Sequence, residues 1–438
     1  MLTSRTIRIL LPIKTNYSRL SVLTELIIRL RSPAFQALAG RGIQYLVQLV
    51  QVLLVPKLLG PGAFLQYSLV LPLAYLGASL GFGWITSASF RYVHELLEGN
   101  NTRFRQTVFF YFGLMTLVMF AAYPIAATLN LGIYALIPVL LIASALKAGI
   151  LSVLNAAERH RQYLYSNIGF AVSLAMFLAL CVLEGRTNLA DWTVLAKFLL
   201  FYSLFDTAVA LFSWFKTGIF ALSLSPQFDS QVARRCLKYG LPILLNSVAV
   251  WVISLSDRYF LALWQPADSV ASYILSYQLA GGIIAVPMGL AMIVLFPRLL
   301  SIDRNDGERA AMELTQKMLR FYLRYSLIIT TIAAAIIIAL KYFVYIRYQF
   351  DPMVIIILAL ANVVGGLCHF YNKEFELNGR TFSITKSIGA GAVVNAVLNL
   401  ALIPFLGPMG AAIATLAAYM VTVVVIYQMS SYRPSWAK

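Results

Sequence analysis

The stretch WVISLSDRYFLALW (251–264) sets Asp257 and Arg258 side by side among residues that otherwise suit lipid or a packed helix interior. A charge at the centre of a membrane helix costs about 2.5–3.5 kcal/mol on insertion scales, so something must compensate it. Neighbours in sequence point about 100° apart on a helix, which is poor geometry for pairing with each other. Their partners must come from elsewhere, either as a clasp between helices or as contacts to a charged solute. Asn246, Ser247 and Ser254 share this side of the segment.

A second polar line runs through AFQALAGRGIQYLVQLVQVLLV (34–55), where Arg41, Gln44, Gln48 and Gln51 fall within an arc of about 80°. Leucine and valine fill the opposite face. One guanidinium and three amides facing lipid would be costly, so the stripe is expected to line a wet or protein-walled space. Interhelical hydrogen bonding alone is the competing role, worth about 0.6 kcal/mol per contact. Lys147 (IASALKAGILSVL) and Lys197 (TVLAKFLLFYSLFD) are further embedded cations. Asp206 lies half a helical turn around from Lys197, so those two do not share a face. Asp206 and Asp257 are candidates for ion coupling or for structural charge. The four embedded cations outnumber the two carboxylates, and such an interior suits an anionic group.

The elements that hold these residues are set by composition. Of 438 residues 60% are hydrophobic and only 12% charged, about half the charge that a soluble protein carries. Apolar runs of about 20 residues, each long enough to cross a hydrocarbon core, recur near 34–56, 66–88, 106–129, 131–154, 163–184, 190–215, 239–264, 269–297, 325–346, 352–372, 384–404 and 409–428. An all-α polytopic membrane protein with about 12 transmembrane helices follows. Twelve spans put both termini on one side. With that side cytoplasmic, 26 of the 34 Lys and Arg lie inside, against Lys57, Arg186, Lys341 and Arg347 outside, a strong positive-inside pattern. The net charge of +17 therefore reads as topology and attraction to anionic lipid rather than to nucleic acid. Residues 1–33 form a basic cytoplasmic segment in which LSVLTELIIRL suits an interfacial helix.

Function classes drop out as well. There is no GxxxxGK[ST] for an ATP-driven cycle. The outer loops, about ten residues at most on these spans, offer no platform or acidic pair for catalysis, so no enzyme activity is expected. Cys181, Cys236 and Cys368 have neither disulfide nor metal spacing and read as small apolar packers. The His residues 94, 160 and 369 fall near inner helix ends.

The chain also repeats itself. LVPKLLGPGAFLQYSLVLPLA (54–74) and FLALWQPADSVASYILSYQLA (260–280) align at an offset of 206, matching Tyr67, Leu69, Leu73 and Ala74 to Tyr273, Leu275, Leu279 and Ala280. QYLYSNIG (162–169) echoes FSITKSIG (382–389). Six spans separate each pair, so the halves are parallel repeats: lobes 34–222 and 239–428, joined by a linker 223–238 and followed by a tail 429–438. In transporters, sites lie at such repeat interfaces, and the first and seventh spans are expected to face each other across a central cavity.

KLLGPGAFLQYSLVLPLA, YGLPILLNSVAVWVISLSDRYFLALW with ASYILSYQLA, and NGRTFSITKSIGAGAVVNAVLNLALIPFLGPMGAAIATLAAYMV together resemble the polysaccharide exporter family, over roughly residues 34–428. The resemblance points to Wzx-type flippases, within the superfamily that also holds multidrug exporters and lipid II flippases. The latter usually carry two further spans, which are not found here. It implies two six-helix lobes around a central cavity, alternating access, and H+ or Na+ coupling without another cofactor. The implied substrate is a polyprenyl-pyrophosphate-linked oligosaccharide, moved across the cell inner membrane for surface polysaccharide assembly. Arg41, Gln44, Gln48, Gln51, Lys147, Lys197, Asn246 and Arg258 are the candidate cavity residues. Anionic lipids and a polysaccharide polymerase are the expected partners of a monomer.

Overall fold

A computed structural model describes residues 33–93, 102–129, 131–188, 192–215, 228–343 and 348–431. The expected interfacial helix before residue 33 lies outside them, as does most of the tail. The helices are α1 (Pro33–Arg91), α2 (Thr102–Thr128), α3 (Ile137–Ala156, entered through a 3-10 turn), α4 (His160–Asn188), α5 (Trp192–Phe215) and α6 (Ser230–Leu255). They continue with α7 (Asp257–Trp264), α8 (Ala267–Asp306), α9 (Glu308–Phe343), α10 (Pro352–Leu377), α11 (Thr381–Leu406) and α12 (Pro408–Met429).

The 59 residues of α1 would reach roughly 90 Å if straight, about three times the hydrocarbon core. The chain instead reverses at Gly60, whose φ of 76° and ψ of 172° break the helix and are reached at low cost without a Cβ. What sequence reads as a turn between two spans is thus one glycine, followed by Pro61. Ten helical stretches among the described residues are long and apolar enough to cross a membrane, one of them being 39–91. Counting both arms of α1, and adding the 40-residue α8, gives the twelve crossings in two six-span lobes.

Helices outrun the expected spans where polar caps, not lipid, end them. The seventh span starts with α6 at Ser230, because Asp229 Oδ1 accepts from the Gln231 and Val232 amides at 2.9 and 3.2 Å. Much of the expected linker 223–238 is therefore helix. The tenth span, α10, starts at Pro352 as expected, behind Asp351, which accepts from the Met353 amide at 2.8 Å.

The inner side is named here for the basic loops gathered on it, and the outer side for the Gly60 reversal. Toward the outer side both lobes share one apolar core, with Val55, Phe64 and Val70 packed together with Leu261, Ile274 and Ile355. The seventh span does not stand apart across a cleft: α6 lies along the second arm of α1. Near the inner end Gly240 meets the backbone of Trp84 so closely that no Cβ fits. Further out, Trp251 Nε1 donates to the Pro72 carbonyl at 3.0 Å.

Candidate functional site

A polar cavity of about 300 Å³ opens within the N-terminal lobe. The first arm of α1 lines it with Gln44, Gln48 and Gln51, and α3, α4 and α5 add Lys147, Asn167, and Tyr202 with Asp206. The three glutamines recur every three or four residues, so one helix face presents them all. Gln44 and Gln48 are exposed there. Gln51 Nε2 donates to Tyr202 Oη at 3.0 Å, and Tyr163 Oη donates to Gln44 Oε1 at 3.1 Å.

Lys147 and Asp206 form the charged centre. Lys147 Nζ lies 2.5 Å from Asp206 Oδ2 and 3.9 Å from the centre of the Phe170 ring. The lysine side chain is 30% exposed and the carboxylate 6%. Both groups line the cavity, and the ammonium is the more exposed of the two. Asp206 Oδ1 is buried and has no hydrogen-bond partner. Sequence spacing excluded Lys197 as a same-face partner of Asp206, and the partner comes from α3, 59 residues earlier.

The other candidates are dispersed. Arg41 sits one turn inward of Gln44, its Nη2 donating to Asn155 Oδ1 at 3.5 Å. Lys197 is exposed on α5 and is not among the cavity's lining residues. Asn246 is half-buried, with its Oδ1 enclosed and unpartnered.

Asp257 and Arg258 are both buried and look in different directions. Asp257 stays within its own lobe: Oδ2 accepts from Tyr273 Oη at 2.5 Å, and Oδ1 from the Arg258 amide at 2.8 Å. Arg258 Nη1 crosses to the other lobe and donates to the Ser68 carbonyl at 3.4 Å. Tyr259 Oη does the same to Leu69 at 2.7 Å, and Tyr348 Oη to Pro56 at 2.8 Å. These bonds and the shared core close the outer end between the lobes.

Sequence reasoning missed Asn167, Tyr202 and Ser203 in the cavity wall. The repeated QYLYSNIG contains Asn167, three residues before Phe170, which was the available signal. It also missed the buried Asn395, Asn399 and Thr415. Asn399 Nδ2 donates to Asn395 Oδ1 at 2.9 Å, and Ser256 Oγ lies 3.4 Å from that same oxygen. A crevice of about 350 Å³ between α1, α2 and α3 is lined without a charged side chain and offers nothing to hold an ionic group.

No family model matches this sequence, and no curated protein sequence does. Solved structures do match. "Lipid II flippase MurJ, inward closed conformation" superposes with a TM-score of 0.64 at 16% identity, covering 92% of this chain and 88% of that one. An inward-facing multidrug resistance MATE family transporter of the MOP superfamily gives 0.62 at 12% identity, over 90% and 97% of the two chains. An outward-facing one gives 0.55 at 16%, over 92% and 94%. The chain shares the fold of these solved structures. At such identities the likeness is one of architecture, carried by nearly the whole of each chain.

Proposed function

We propose that the chain is a flippase that moves a polyprenyl-pyrophosphate-linked oligosaccharide from the inner to the outer leaflet of the cytoplasmic membrane, by alternating access. The observation that carries this reading is the N-terminal cavity. It presents the Lys147 ammonium to the lumen beside three glutamines, with Arg41 one turn inward. Ammonium and amide donors suit the oxygens of a diphosphate. A transporter of organic cations would instead need an accessible carboxylate, whereas here Asp206 is the less exposed partner and is paired with Lys147. Asp206 and Asp257 are the embedded carboxylates available to a coupling H+ or Na+. The two termini are assigned to the cytoplasm by the positive-inside pattern.

Lipid II, which shares the polyprenyl-pyrophosphate anchor, is the second reading, favoured by the superposition on MurJ. Both are tested in cells depleted of the protein. Accumulation of lipid-linked oligosaccharide on the inner leaflet, with normal peptidoglycan, supports the first reading. Arrest of peptidoglycan synthesis supports the second. Unchanged lipid pools with raised sensitivity to cationic drugs would overturn both.

A further inference from the structure

The C-terminal lobe holds a cavity of about 190 Å³ that is the repeat counterpart of the charged one. The first cavity is built from spans one, two, four, five and six. The second is built from α6, α10, α11 and α12, which are spans seven, ten, eleven and twelve. The 206-residue offset carries Gln48 onto Ser254, which lines the second cavity. The chemistry, however, has changed. Among its lining residues there is no Lys, Arg, Asp or Glu; the polar groups are Ser254, Asn362, His369, Asn372, Tyr419 and Thr422.

Those groups offer both donors and acceptors around an aromatic ring. Asn372 Oδ1 is buried and has no hydrogen-bond partner, a state that a native site rarely leaves uncompensated. Asn362 Nδ2 donates to the Leu358 carbonyl at 2.8 Å and Thr422 Oγ1 to Ala418 at 2.9 Å. Each is thus held in place by its own helix and keeps an acceptor oxygen for another partner. An anion would find no permanent cation here, and a metal ion no carboxylate. An apolar chain would strand the amides. Neutral hydroxyl-rich rings satisfy amides and hydroxyls together and stack on tyrosine. The volume corresponds to about six water molecules at roughly 30 Å³ each, the scale of one sugar ring.

We infer that this cavity binds a sugar unit of the lipid-linked substrate, while the N-terminal cavity takes its diphosphate. The inference rests on the flippase reading above. It divides recognition between the lobes: charge in one, neutral hydrogen bonding in the other.

The test compares binding of two probes to the full-length protein in detergent. One is lipid-linked oligosaccharide extracted from the host membrane, and the other is polyprenyl diphosphate without sugar. Asn372→Leu removes the orphan acceptor, and His369→Trp adds bulk at a lining position. Either variant should weaken the oligosaccharide probe about tenfold or more, the scale of one or two lost hydrogen bonds, and leave the sugar-free probe within about twofold. Equal weakening of both probes, or of neither, overturns the sugar assignment alone. Failure of the unmodified protein to bind either probe removes the flippase reading, and this assignment with it.

Discussion

Arg258 Nη1 donates across the lobes to the carbonyl of Ser68, an oxygen that has lost its helical donor because residue 72 is proline. In a regular helix the amide of residue 72 would bond to that carbonyl, and proline has none. The guanidinium of the seventh span fills the vacancy left in the second. Tyr259 and Trp251 use the carbonyls of Leu69 and Pro72 in the same stretch. The cost of burying Arg258 is thus offset by an acceptor that the proline set free.

Arg258→Gln should therefore loosen the outer closure rather than unfold a lobe. Hydrogen bonds to charged groups contribute about 1.5–3 kcal/mol, so the closed state should lose about tenfold or more in population. Distances between spin labels at exposed outer positions of the two lobes would report this shift. Pro72→Ala returns an amide to Ser68, so Arg258→Gln should cost less in that background. Additive effects would remove the proline from the account.

Asp257→Asn should act differently, because this carboxylate accepts from Tyr273 and from the Arg258 amide within its own lobe. Weakening hydrogen bonds to a buried charged acceptor costs about 1.5–3 kcal/mol, which here falls within one lobe and should appear as reduced membrane abundance and a lower melting temperature in detergent. Tyr273→Phe should be milder. Normal abundance with lost transport would instead make Asp257 a working coupling group.

Gly240→Ala should drive the seventh span off the second near the inner end, since the added methyl collides with the Trp84 backbone. Backbone cannot rotate away as a side chain can, so a loss of about 2 kcal/mol or more is expected. Gly42→Ala, where nothing lies within 4 Å, is the matched control. Melting curves that coincide for the two would mean that the lobes do not pack as described.

Much of this fold is legible in the sequence, because lipid imposes one rule on every span. Hydropathy finds the crossings. Helix ends were less legible, since α6 is ended by Asp229 rather than by lipid. The stripe Gln44, Gln48 and Gln51 was readable because a single helix carries it. The pairing of Lys147 with Asp206 was not, because its members come from different helices and periodicity speaks only within one. For the same reason the sequence sets Asp257 and Arg258 together, while the structure gives them partners in opposite lobes.

Lys147→Met alone should be unstable, as it leaves Asp206 charged and buried without its counter-ion, a loss of about 3–5 kcal/mol. Lys147→Met with Asp206→Leu removes both charges and should recover most of the melting temperature. A single variant as stable as the unmodified protein would mean that the ion pair is not maintained in the membrane.

That double variant also allows the most direct measurement of the central claim, that the cavity around Lys147 carries a pyrophosphate-linked glycan. Proteoliposomes loaded with a fluorescent polyprenyl-diphosphate oligosaccharide report translocation through the loss of signal to an impermeant quencher. The unmodified protein should move the lipid well above the rate of empty liposomes, and the stable double variant should fall to that background. Unmodified protein at the background rate, or a double variant moving the lipid as fast as the unmodified protein, would contradict the account.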